Sequence, residues 1–207
     1  MKMRAISLFV AVAVLAGCDD PPTAELDAAK QALNSARDVG AERFAANEYS
    51  AAQRAYSEAE ATTNTEAERF FLFKDFEQAR AQIADAKSKA MQAESSAEAE
   101  KKRQRESAEA AIATARDAVA AAYTSLEEAP SGKGTEADIE ALRAELSAAE
   151  ADMDAAEAAL DSENFSDAES LAESADQKAT EVADGVMVAV DRYHALVEEM
   201  RPWYERF

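Results

Sequence analysis

From residue 24 to residue 200 the apolar positions return at alternating steps of three and four. This is the stripe of helices that bury one face against other helices. Leu26, Ala29, Leu33 and Ala36 mark a first helix over about 24–46. Tyr49, Ala52, Tyr56, Ala59, Phe70 and Phe73 share one register of a second, about 49–72, whose waist Thr62-Thr63-Asn64-Thr65 is weakly helical. Thr65 followed by Glu68 has the form of a capping box that splits this helix. Phe76, Ala79, Ile83, Ala86, Ala90, Ala93 and Ala97 open a third helix, and Ala108, Ile112, Ala115, Val119, Ala122 and Leu126 carry it to about residue 128. After the loop 129–134, Ile139, Leu142, Leu146, Ala149, Met153, Ala156 and Leu160 mark a fourth, about 135–162. Phe165, Ala168, Ala172, Ala175, Ala179, Val182, Val186, Ala189, Tyr193, Leu196 and Met200 mark a fifth, about 165–200. No stretch alternates with period two, so no sheet is expected.

The third helix sets the expected architecture. Its two apolar stripes are interrupted between Ala97 and Ala108, and the run 98–107 has no large apolar residue to bury. One helix of roughly 54 residues, about 80 Å long at a rise of about 1.5 Å per residue, accommodates both stripes. The expected fold is all-α: about five long helices in antiparallel hairpins, as two three-helix bundles (24–97 and 108–200) sharing one long central helix through a solvated waist at 98–107.

Composition narrows the functional classes. The 207 residues include 22 Lys+Arg against 42 Asp+Glu, a formal charge of −20, and about a quarter are alanine, several-fold above the usual share. An acidic field of this size excludes a nucleic-acid binder. A single Cys excludes a disulfide framework. Five Gly and four Pro leave no set of Gly-rich βα turns for a dinucleotide-binding fold.

The N-terminus carries an address. Lys2 and Arg4 precede a largely apolar run of 12 residues, 5–16, with Ser7 its one polar member. That run is too short to cross a bilayer core, which takes about 20 helical residues, and suits a signal-peptide core. It ends in Leu15-Ala16-Gly17-Cys18, which resembles the lipobox of bacterial envelope lipoproteins. The resemblance implies cleavage of the signal peptide 1–17, acylation (palmitate included) of Cys18, and membrane attachment through that residue. Residues 18–23 form the lipidated tether, stiffened by Pro21 and Pro22. Loss of Lys2 and Arg4 takes the formal charge from −20 to −22. Asp19 next to the lipidated residue resembles a sorting signal that favours the inner membrane over the outer. The implied location is the cell envelope, facing the periplasm.

Three helix starts share a short pattern: Asn47-Glu48-Tyr49-Ser50-Ala51-Ala52, Lys74-Asp75-Phe76-Glu77-Gln78-Ala79 and Glu163-Asn164-Phe165-Ser166-Asp167-Ala168. The acidic or amide residue can cap, the ring fills the corner, and the Ala lets paired helices approach. The pattern resembles the inter-helix turn of tetratricopeptide-like hairpins and is similar to that of uncharacterised alanine-rich helical lipoproteins. The three rings are unevenly spaced, unlike a 34-residue repeat array.

Catalytic chemistry has little to work with. His194 is the only His, no metal-ligand spacing is present, and Ser131-Gly132-Lys133-Gly134 lacks the spacing of a phosphate loop. No enzyme, metal or cofactor is expected. Asp152, Asp154 and Glu157 read as a solvated acidic face, and Lys101, Lys102, Arg103 and Arg105 as a solvated basic one. Two apolar groups are candidate partner sites: Phe70, Phe71, Phe73 and Phe76 at the second corner, and Tyr193 with Trp203, Tyr204 and Phe207 at the C-terminal end, where 201–207 forms an aromatic tail. The expected function is a non-enzymatic, lipid-anchored adaptor, spacer or assembly factor with an envelope protein partner. The alternative is a carrier or chaperone holding a hydrophobic ligand or client in a groove between helices.

Overall fold

A computed structural model describes residues 20–130, 132 and 134–201. Among them every regular element is helical: α1 (Thr23–Asp38), the short α2 (Ala41–Phe44), α3 (Ala46–Glu68), a 3-10 turn (Phe71–Phe73), α4 (Glu77–Glu128), α5 (Glu136–Asp161) and α6 (Phe165–Glu199). The chain divides into two compact units, Met1–Glu98 and Ala99–Phe207, with the division falling inside α4.

In the first unit Leu33 and Ala36 of α1 pack with Tyr49 and Ala52 of α3 and with Ala90, Ala93 and Ala97 of α4. A second cluster joins Ala29, Ala59 and Ile83. The start of α1 therefore meets the second half of α3 and the start of α4, while the end of α1 meets the start of α3 and a later stretch of α4. So α1 and this part of α4 run in one direction and α3 runs against both. The N-terminus of α1 and the connection from α3 to α4 share one end of the unit.

The expected first helix is broken. Gly40 stands at φ +90°, where the left-handed conformation ends α1. Its amide donates to the Arg37 carbonyl at 2.8 Å, and the Val39 amide donates to Ser35 at 3.1 Å. These bonds satisfy carbonyls that the helix end would leave open. The capping box expected at Thr65 and Glu68 does not form. The Thr65 hydroxyl donates to the Ala61 carbonyl at 2.9 Å, and that of buried Thr63 to Ala59 at 2.7 Å. The helix carries its threonines by bonding them back one turn, and α3 ends at Glu68 rather than near 72.

In the second unit Ile112 and Ala115 of α4 pack with Met153 and Ala156 of α5 and Ala172 and Ala175 of α6. Further along, Ala122 and Leu126 meet Ile139, Leu146 and Ala149, and Ala179, Val182, Val186 and Ala189. Here α5 runs against both α4 and α6. Alanines at the seams let the helices close up, and Gly185 allows α6 to lie against Leu142 of α5.

Tyr49, Phe76 and Phe165 of the repeated turn pattern are all buried, as are Ala52, Ala79 and Ala168. Capping is less uniform. The Asp75 carboxylate accepts the Glu77 amide at 2.9 Å. Glu48 lies inside the first turn of α3, and Asn164 makes no side-chain cap, bonding the Asp167 carboxylate instead.

Candidate partner-binding surfaces

The first surface is the connection between α3 and α4. Arg69 and Phe70 turn to extended backbone, and Phe71–Phe73 forms a single 3-10 turn. Phe70 and Phe73 thereby leave the register of α3 that the sequence assigned them. Phe70, Leu72 and Phe73 are 62%, 68% and 71% exposed, whereas Phe76 is fully buried. The rings of Phe70 and Phe73 lie 6.3 Å apart. Phe76 belongs to the core and does not share their surface, and the side chain of Phe71 lies outside the described residues.

The second surface is the C-terminal half of α6, which is longer than α5 by nine residues (35 against 26). Met187, Val188 and Met200 are exposed large hydrophobics. Tyr193 is half-buried, with the exposed His194 at a ring-centre distance of 6.0 Å. A cleft of ≈540 Å³ between this helix and the end of α4 is lined by Ala129, Pro130, Met187, Val190, Asp191 and His194. Further along the helix, Tyr193, His194, Val197 and Arg201 line an adjoining opening of ≈480 Å³. Trp203, Tyr204 and Phe207 lie outside the described residues, as do Leu15, Ala16, Gly17, Cys18 and Asp19.

Several charged groups elsewhere pair with one another. At the basic run, Lys101 reaches Glu163 at 2.7 Å and Arg105 reaches the same carboxylate at 3.8 Å. The Arg105 guanidinium also stands 5.4 Å from the Phe165 ring centre. Lys102 pairs with Glu106. Hydrogen bonds from Arg103 and Gln104 hold the Glu100 carboxyl down at about 2. Ser107 donates to Glu169 at 2.7 Å. The polar stretch after residue 98 thus meets the start of α6 through ion pairs and hydrogen bonds, a contact that apolar periodicity does not reveal. Glu163 holds its position with a left-handed backbone, φ 58°.

On the acidic face of α5, Asp154 is exposed while Asp152 and Glu157 are paired. Asp152 accepts Lys178 at 2.6 Å and Ser174 at 2.7 Å, and these hydrogen bonds lower its carboxyl below the usual range. Glu157 meets Arg116 at 2.5 Å. Among the described residues no group of three or more His, Cys, Asp or Glu side chains is arranged to hold a metal ion, and no helix is long and apolar enough to cross a membrane.

Among the described residues the geometry defines a class: an all-α protein of antiparallel helical hairpins with alanine seams, with exposed apolar side chains at the α3–α4 turn and on α6. Scans of family models, of curated proteins and of solved structures find no match to the chain.

Proposed function

We propose that this chain is a lipid-anchored, non-enzymatic envelope protein that acts as an adaptor, spacer or assembly factor. The observation that carries the reading is Leu15-Ala16-Gly17-Cys18 at the end of the 12-residue apolar run, with Cys18 the only cysteine in the chain. Acylation there ties the body to the membrane, and Asp19 favours the inner one. The rest of the reading rests on what the helices leave exposed. Met187 and Val188 stand 61% and 69% exposed on a helix whose opposite face is fully packed. A short apolar strip with Tyr, His and Arg beside it suits a protein partner better than bulk water. A ligand-filled groove has less support, because alanine seams close the helices on each other and the clefts are open.

The test is in-cell cross-linking followed by purification from the solubilised envelope. The native chain is expected to yield a discrete adduct and a Cys18 mass increased by acyl chains. Cys18→Ser should release the protein from the membrane fraction, and Met187→Asp should remove the adduct while leaving the fold and the anchor intact. An unmodified Cys18 would sink the lipoprotein reading. An adduct that survives Met187→Asp would sink the assignment of the α6 surface.

A further inference from the structure

Two ends of the first unit's chain segments coincide. Core packing puts the N-terminus of α1 at the same end as the α3–α4 connection. A direct bond fastens them: Arg80, one turn into α4, donates from Nη2 to the Asp20 carbonyl at 3.3 Å. Asp20 is two residues from Cys18, so the chain can separate them by no more than about 7 Å. If Cys18 holds the acyl chains, the bilayer surface lies beside this end of the unit.

That end presents Phe70, Leu72 and Phe73, each more than three-fifths exposed. The segment 69–74 reads Arg-Phe-Phe-Leu-Phe-Lys, two cations and no acid in a strongly acidic chain. Of the flanking carboxylates, Glu66 pairs with Arg69 at 3.2 Å and Asp75 accepts the amide of Glu77, while Glu68 is exposed at the end of α3. Apolar side chains at the tip with Lys and Arg at its edges match the boundary between acyl chains and lipid phosphates.

We propose that the 69–74 turn is a second membrane contact, with Phe70, Leu72 and Phe73 entering the headgroup region of the bilayer that holds Cys18. The proposal rests on the lipid-anchor reading above. More than one acyl chain on Cys18 suffices to hold the protein at the membrane, so what the turn adds is a second point of contact. It also fixes the orientation of the first unit: the end of α1, with Leu33 and Ala36, points away from the lipid.

The full acylated chain, purified and reconstituted into phosphatidylethanolamine–phosphatidylglycerol vesicles, provides the test. Trp203 is the only tryptophan, so Leu72→Trp in a Trp203→Phe background reports from the turn alone. Met91→Trp in the same background is the control, since Met91 is exposed beside the cluster at the opposite end of the unit. Leu72→Trp emission is expected to shift to the blue on reconstitution and to lose most of its intensity when the acyl chains are brominated. Met91→Trp should show neither effect. Equal quenching at both positions, or none at Leu72→Trp in a protein whose intact mass shows acylation, would overturn the proposal and leave the anchor standing. A blue shift without bromolipid quenching would place the rings against protein, a second copy or another chain, and would also overturn it. An unacylated mass would remove both the anchor and the proposal built on it.

Discussion

Gly185 of α6 lies so close to Leu142 of α5 that a β-carbon on the glycine would stand 2.5 Å from Leu142 Cδ2 and 3.4 Å from Cδ1. Two effects oppose each other when Gly185 becomes alanine. Helix propensity favours the change by about 1 kcal/mol, and overpacking typically costs about 1–3 kcal/mol. Leu142 is only half-buried and can swing partly aside, so Gly185→Ala alone is expected to be mildly destabilising. In a Leu142→Ala background the clash is gone and the same substitution should stabilise by about 1 kcal/mol. A double-mutant cycle by urea denaturation checks the sign of that coupling. Simple additivity would show that the helices are not in contact at this point.

Gly40 is the residue that separates α1 from α2. At φ +90° an L side chain is strained, and its β-carbon would also meet the Phe44 ring at 3.1 Å. Gly40→Ala is expected to cost about 1–2 kcal/mol. Gly40→Asn should cost less, because asparagine tolerates the left-handed conformation better. Their order in urea midpoint is the readout, with alanine the lower of the two.

These two glycines show how far the sequence could be read. The apolar stripes placed α4, α5 and α6 within a residue or so of their observed ends, because an alternating three-and-four spacing over many turns has one structural solution. The stripes missed the break after Asp38, although Gly40 is the kind of residue that ends a helix. The end of α3 was harder. Phe70 and Phe73 keep the helical spacing and yet stand in a turn, because Phe76 and Asp75 start the next helix and the chain must reverse before them. Their exposure depends on a tertiary reversal that periodicity does not encode. The contacts of Lys101 and Arg105 with Glu163 join residues about 60 apart in sequence, and no local pattern carries them. Gly185 had no signal until Leu142 was placed opposite it.

Phe73 and Phe76 are three residues apart and should behave in opposite ways. Phe76 is among the largest fully buried side chains, and Phe73 is 71% exposed. Truncating Phe76 to alanine removes a ring from a closed core and is expected to cost about 3–5 kcal/mol. Phe73→Ala should lie within about 0.5 kcal/mol of the native chain in lipid-free solution. Thermal denaturation followed by circular dichroism separates them. A large loss at Phe73 would mean that the turn is packed rather than presented.

Asp152 gives the second unit an acid-sensitive lock between α5 and α6. Hydrogen bonds from Lys178 and then Ser174 keep its carboxyl ionised to lower pH than in the unfolded chain, where an aspartate titrates near about 3.9. The unfolded state therefore takes up the proton first as pH falls. The stabilisation is fully present above the ordinary aspartate range and is lost progressively as pH drops toward and through the lowered folded value. Asp152→Asn is expected to weaken the fold at neutral pH, and the difference from the native chain should shrink on acidification. Ser174→Ala should reproduce a smaller part of the same pH-dependent loss, since it leaves the Lys178 bond in place. Urea midpoints measured from pH 7 down into the acid range give both curves. A deficit in Asp152→Asn that stays constant with pH would show that the carboxylate contributes through packing and not through its charge.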